Sequence, residues 1–375
     1  MKFSVSSKSL YNIASAAGKI ISSKNTLQIL NNFLFILEGD TLTVKGQDME
    51  NRLEGRIAVT DVEGSGSFCL NALRLVELLK LMPDQGIRFE VSESLDVRIE
   101  YSNGIYNTVA IAGEEFPRPD AALTAGQETV EFVSPASAVI AGMDNTIFAA
   151  GTDEIRPQMM GVLWDIKTDC LVFVATDTRK LVRFTNTAVQ PGIECSFILP
   201  VKGATILKNV FSKAENVKVT VSAVNVVFES EDFTFDCRLI KGRFPDYNKV
   251  IPRNNPYAVT VDCHSFLNSV RRVAIGGDDG SNLIKFNFHD SSLTLSSIDQ
   301  GYNTSSQEDV QCSYDGPDML IGFDSSFLIE ILSTFSCPDI VMHIGDPSRP
   351  ALLAPAENAP DTDLTIILMP MTINS

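Results

Sequence analysis

The chain has 375 residues and a formal net charge of −17. That charge opposes non-specific binding to polyanions, which rests on Lys and Arg neutralising phosphates. No basic and apolar leader opens the sequence, and no apolar run approaches the roughly 20 residues that span a bilayer, so a secreted or membrane protein is not expected. Seven scattered cysteines, odd in number and mostly in apolar stretches, read as core thiols of a reduced cytoplasmic protein.

Along the chain, a short alternating strand at Lys2 to Val5 leads into a helix with Leu10, Ile13, Ala17 and Ile20 on one face. The strand LTVKGQD (Leu42 to Asp48) follows, then FCLNALRLVELLK from Phe68, where Asn71 can cap a second helix bearing Leu75, Val76, Leu78 and Leu79. Strands at Ile87 to Val91 and Val97 to Tyr101, with an Asn103-Gly104 turn, lead to Phe116-Pro117.

The same order then recurs. Glu131 to Val133 precedes Ser134-Pro135, a cap followed by a helix-starting proline. LVFVATD (Leu171 to Asp177), FILPVKGATILKN from Phe197 with Pro200 as a possible helix start, strands at Val217 to Val221 and Val224 to Glu229, and Phe244-Pro245 complete the unit. It recurs again with Val259 to Val261, a helix capped by Asp262 and facing inward at Phe266, Val270 and Val273, LTLSSID (Leu293 to Asp299), IGFDSSFLIEILS from Ile321 with Asp324 as cap, a strand at Ile340 to Ile344, and Met369-Pro370.

The three loop aspartates lie 129 and 122 residues apart, Asp48 to Asp177 to Asp299. A period this long marks domain duplication, since solenoids and propellers repeat at about 20–50 residues. Three α+β domains are expected, at 1–120, 128–249 and 256–375, each with two helices packed on antiparallel sheet. The Pro-rich connectors, 117–128 and 251–256, are short.

Reactive constellations are missing. His264, His289 and His343 are far apart, and no HExxH, CxxC or phosphate-cradling glycine loop occurs. Gly64-Ser65-Gly66, Asp278-Asp279-Gly280-Ser281 and Asp361-Thr362-Asp363 read as turns, the last two without the ligand count of a calcium loop. No catalytic residue, metal or cofactor is therefore expected. A multidomain enzyme with an interdomain substrate cleft would need converging His, Cys or carboxylate groups. An adhesion protein fits poorly with unpaired cysteines.

Local stretches carry a resemblance over the whole chain. KNTLQILNN (Lys24 to Asn32), VATDTRKLV (Val174 to Val182), KGRFPDYNKVIP (Lys241 to Pro252) and the terminal LMPMTI (Leu368 to Ile373) resemble the bacterial DNA polymerase III β subunit family, the sliding clamps. The resemblance implies a head-to-tail homodimer, a six-domain ring of the DNA-clamp fold around double-stranded DNA, with twelve helices inside and continuous sheet outside. It implies a processivity factor without chemistry, opened by an ATP-driven clamp loader, tethering DNA polymerase III core and other polymerases and repair proteins through short linear motifs.

By motif position the resemblance places a peptide pocket at Met159, Thr176, Leu181, Pro245, Val250, Ile367, Met369, Pro370 and Met371, with a rim of Thr178, Arg179, Lys180 and Lys249. It departs from the family where Thr178-Arg179-Lys180 replaces a common Gly-His-Arg, where Lys249 replaces arginine, and at Thr372-Ile373. DNA-facing charge is expected from Lys24, Arg74, Lys80, Lys202, Arg271 and Arg272. Tyr106, Thr108 and Ile275 are expected at the dimer contact.

Overall fold

The computed structural model describes residues 1–21, 25–117, 128–278, 280–289 and 292–373; Lys24, most of the 117–128 connector and Asp279 of the acidic turn lie outside these. The chain forms two compact units, Met1–Ile140 with Lys202–Leu239, and Ala141–Val201 with Ile240–Ser375.

Among the described residues, one local device recurs six times. A strand runs directly into a helix: Lys2–Ser6 into α1 (Ser7–Gly18), Gly66–Asn71 into α2 (Ala72–Lys80), Val130–Pro135 into α3 (Ala136–Thr146), Cys195–Pro200 into α4 (Val201–Val210), Tyr257–Asp262 into α5 (Cys263–Ala274) and Met319–Asp324 into α6 (Ser325–Thr334). The first N–H groups of a helix lack intrahelical partners. Four of the six are capped by the last strand residue: Ser6 accepts from Ser9 N, Asn71 from Arg74 N, Asp262 from Ser265 N, and Asp324 from Ser326 N and Phe327 N.

The middle pair differs from expectation. Pro135 and Pro200 end their strands, and the helices begin one residue later. Register explains this: Pro135 still sits opposite Asn216, and Pro200 opposite Gly161, so both belong to sheet. Their first helical N–H groups are met by backbone, as at α1, α5 and α6, with Ala136 N donating to Glu215 O at 3.0 Å and Val201 N to Met160 O at 3.2 Å. Ile20 likewise lies beyond α1, yet is fully buried.

In the first unit a five-stranded antiparallel sheet runs in the order Thr60–Glu63, Lys2–Ser6, Gly86–Val91, Asp96–Tyr101, Gly104–Val109. A nine-stranded sheet runs from Ile111–Ala112 through Gly66–Asn71, Asn32–Glu38, Thr41–Gln47 and Asn51–Ala58, then Phe233–Arg238, Asn225–Glu229, Asn216–Val221 and Val130–Pro135. Its seam joins two repeats, with Leu53 opposite Phe235 and Asn51 opposite Cys237.

The second unit mirrors this plan. Its nine-stranded sheet is ordered Cys195–Pro200, Gly161–Ile166, Leu171–Thr176, Lys180–Asn186, Thr362–Leu368, Ala351–Pro355, Asp339–Ile344, Tyr257–Asp262, Ser313–Tyr314, with a seam at Lys180–Asn186 against Thr362–Leu368. A four-stranded sheet is ordered Thr304–Gln311, Ser292–Asp299, Leu283–His289, Met319–Asp324. Strand alternation buries one face, and the cores fill with aromatics such as Trp164, wedged between Phe173 and Phe197 at 4.8 and 5.2 Å.

Helix α1 packs tightly on its sheet at Gly46, where a Cβ would stand 2.5 Å from the Ala17 carbonyl oxygen. Gly46→Ala must push α1 off the strand. It should cost about 1–3 kcal/mol, as overpacking does, and lower the urea midpoint without changing the slope of the transition.

Candidate functional site

The hairpin between Leu171–Thr176 and Lys180–Asn186 turns through three residues, and its geometry sets one wall of a cavity. Asp177 Oδ1 accepts from Arg179 N and Lys180 N, both at 2.8 Å, and Thr176 Oγ1 donates to Lys180 O at 2.7 Å. This winding forces Thr178 to φ +82°, a left-handed conformation that a β-branched residue adopts only at a cost. A glycine would meet the same requirement without that cost.

The turn aims Lys180 inward. Its side chain is 5% exposed, with Nζ 3.0 Å from both Asp177 Oδ2 and Glu330 Oε2, and it lies 4.0 Å above the Phe327 ring of α6. The rim cation is therefore already engaged by two carboxylates and an aromatic face. Arg179 stands farther from the same ring, at 5.9 Å, and is exposed.

The facing wall comes from the segment after Leu239. Phe244 and Tyr247 bury into a cluster with Leu163, Val172, Val174, Leu181, Ile198 and Ile367. Tyr247 OH donates to Asp165 Oδ2 at 2.8 Å, and burial followed by that carboxylate pushes the phenol up to about 12. The hydroxyl thus stays a donor and pins the wall.

Between the walls lies a cavity of about 210 Å³. It gathers ten of the thirteen expected residues: Met159, Thr176, Thr178, Arg179, Lys180, Leu181, Pro245, Val250, Ile367 and Met369. Val250 and Met369 remain 45% and 38% exposed, leaving apolar surface at the mouth. Three residues fall outside the lining. Lys249 points to solvent and pairs with Asp246, while Pro370 and Met371 follow the tail away, Met371 bonding to Gly322. Phe244 and Tyr247 line the cavity without having been singled out, although the FPDY of KGRFPDYNKVIP held the signal.

The expected DNA-facing cations divide. Arg74 and Lys80 are exposed on α2. Arg271 is exposed and donates to Ser333 Oγ. Arg272 is paired with Glu308, and Lys202 Nζ bonds the Ile20 carbonyl at 2.8 Å and Asp48 Oδ2 at 2.6 Å. These last two are engaged within the fold.

Tyr106 and Thr108 lie on Gly104–Val109, an outer strand of the five-stranded sheet. Ile275 follows α5 and is 82% exposed. Among the described residues, no group of three or more His, Cys, Asp or Glu gathers to hold a metal, and no helix is long and apolar enough to cross a membrane.

Three family models match in order: the DNA polymerase III beta subunit N-terminal domain at residues 1–120, its central domain at 135–246 and its C-terminal domain at 248–372. The beta sliding clamps of Pseudomonas aeruginosa and Escherichia coli K12 are each 24% identical over the full length of both chains. A crystal structure of the Pseudomonas aeruginosa DNA polymerase III subunit beta superposes over the whole of both chains with a TM-score of 0.92 at 24% identity. One from Thermotoga maritima does so with 0.91 at 22%. The fold is thus the three-domain DNA-clamp fold. The chain belongs to the DNA polymerase III beta subunit family, and it is a DNA sliding clamp.

Thr178→Gly relieves the backbone strain of the hairpin. Strain of this kind costs about 1–3 kcal/mol, and glycine's greater unfolded freedom takes back part of the gain. The variant should be more stable by about 1 kcal/mol, read as a raised thermal midpoint.

Proposed function

We propose that this clamp acts as a head-to-tail homodimer closed around double-stranded DNA, without catalysis, in the cytoplasm at the nucleoid. Its three domains would be bounded near 1–120, 128–249 and 256–375. The observation that carries the ring reading is the accounting of sheet edges. Each seam joins a strand that follows a loop aspartate, Asn51–Ala58 or Lys180–Asn186, to the last strand of the next repeat's hairpin series, Phe233–Arg238 or Thr362–Leu368. The third counterpart of the first kind, Thr304–Gln311, is an open edge, and so is the remaining counterpart of the second kind, Gly104–Val109. Unpaired edges recruit strands.

Joining them between protomers makes a third nine-stranded sheet and leaves the plan complete. The register follows from the first seam. Asn51 and Thr304 both face their loop aspartates, so Thr304 falls opposite Thr108 and Ser306 opposite Tyr106. The same step carries Lys202, the second residue of α4, against the end of α1. Its counterpart in α2 is Leu73, 68% exposed, which would cover Ile275 across the dimer. A polar clasp within the chain becomes an apolar one between chains.

DNA would be steadied by Arg74, Lys80 and Arg271, and the resemblance adds Lys24 to them. Lys202 and Arg272 contribute less, since their charge is neutralised locally. Topological closure needs no tight grip, which suits a chain of charge −17. The apolar cavity between the hairpin and the Phe244–Val250 wall takes the short linear motifs of polymerase III core, the clamp loader and other polymerases and repair proteins.

In a Thr108→Cys/Thr304→Cys double variant, paired Cα atoms about 5 Å apart suit a disulfide. Oxidation should give a covalent dimer on non-reducing gels, whereas either single variant stays monomeric there; a double variant that never crosslinks rejects the register. For the cavity, a fluorescent QLxLF-type peptide should bind in the micromolar range, and Met369→Ala should weaken it roughly tenfold, about 1.4 kcal/mol. Equal binding to both proteins would remove the cavity from the tethering mechanism.

A further inference from the structure

The tail that carries Met369 does not end in the sheet that supplies the cavity floor. After Leu368 the chain leaves strand Thr362–Leu368, and Met369 N donates to Arg179 O at 2.8 Å. Pro370 has no N–H to give. Met371 N then donates to the Gly322 carbonyl at 2.7 Å. Gly322 lies in Met319–Asp324, an outer strand of the four-stranded sheet, so the tail spans from one sheet of this unit to the other.

Gly322 is buried in extended strand, and its backbone needs no special conformation. What it supplies is room. A Cβ there would lie 2.8 Å from Leu283 Cδ1 and 3.0 Å from both Ile373 Cγ1 and the Met371 carbonyl oxygen. Two of those three atoms belong to the tail itself. Glycine inside a strand marks a close approach of another backbone, and here that backbone is residues 371–373.

We infer that Gly322 is a positioning residue for partner binding: its bare Cα lets the tail seat against the strand, and the seated tail holds Met369 over the cavity. This rests on reading that cavity as the peptide slot. The floor at Leu181, Phe244 and Ile367 is built from sheet and core packing and does not depend on the hook. The lip does. With the bond at Gly322 lost, Met369 is held by the single bond to Arg179 O, and the chain beyond it loses its second anchor.

The test measures anisotropy of the fluorescent QLxLF-type peptide with full-length protein. Gly322→Val adds the obstructing side chain, and Met371→Pro removes the donor from the tail's side without touching the packed strand. Each should weaken binding roughly tenfold, and the double variant should be no weaker than either single one, because both remove one bond. Dimer mass should stay that of wild type. If Met371→Pro binds like wild type while Met369→Ala does not, the hook is overturned and the slot stands. If Met369→Ala also binds like wild type, the slot reading fails and the hook's role fails with it.

Discussion

Backbone pairing at strand edges is the constraint on which this molecule is organised. An exposed edge presents a row of unmet N–H and C=O groups, and each must be paired, covered or left for a partner. Two seams pair such edges inside the chain, at Leu53 with Phe235 and at Leu181 with Ile367. Each seam also carries an ion pair: Arg52 with Asp236 opposite it in the first, and Arg183 with Asp363 diagonally in the second. Burial raises the Asp236 carboxyl even against the pull of Arg52, so the pair specifies alignment more than it stabilises.

The second seam also makes the cavity. Leu181 and Ile367 face one another across it and become floor, while the hairpin that begins one strand and the tail that ends the other become walls. The strained Thr178, the engaged Lys180 and the tail bonded to Gly322 all lie around this cavity at the end of a strand pair. Lys180 is a cation turned to the service of the fold. With Asp177 and Glu330 on its ammonium and Phe327 beneath it, it stiffens the wall.

Much of this was legible in the sequence, because it depends on local rules. The spacing of Asp48, Asp177 and Asp299 reveals the repeat, and these aspartates recur because each accepts backbone N–H groups of its own turn, Asp48 from Glu50 and Asn51, Asp299 from Gly301 and Tyr302. Caps at Asn71, Asp262 and Asp324 are equally local. Pro135 and Pro200 misled, since proline suits a helix start and a strand end alike, and only pairing partners decide between them.

The sequence by itself determined the repeat, the α+β class and the caps at Asn71, Asp262 and Asp324, all of which follow from periodicity and short-range hydrogen bonding, while the segments around the cavity were reached through the resemblance. Only the tertiary structure decided which side chains are spent. Lys202 reads as a free cation until Ile20 and Asp48 are brought to it, and Gly322 reads as an ordinary strand glycine until the tail lies on it. Both depend on contacts between residues far apart in the chain, and no local pattern encodes a distance of that kind.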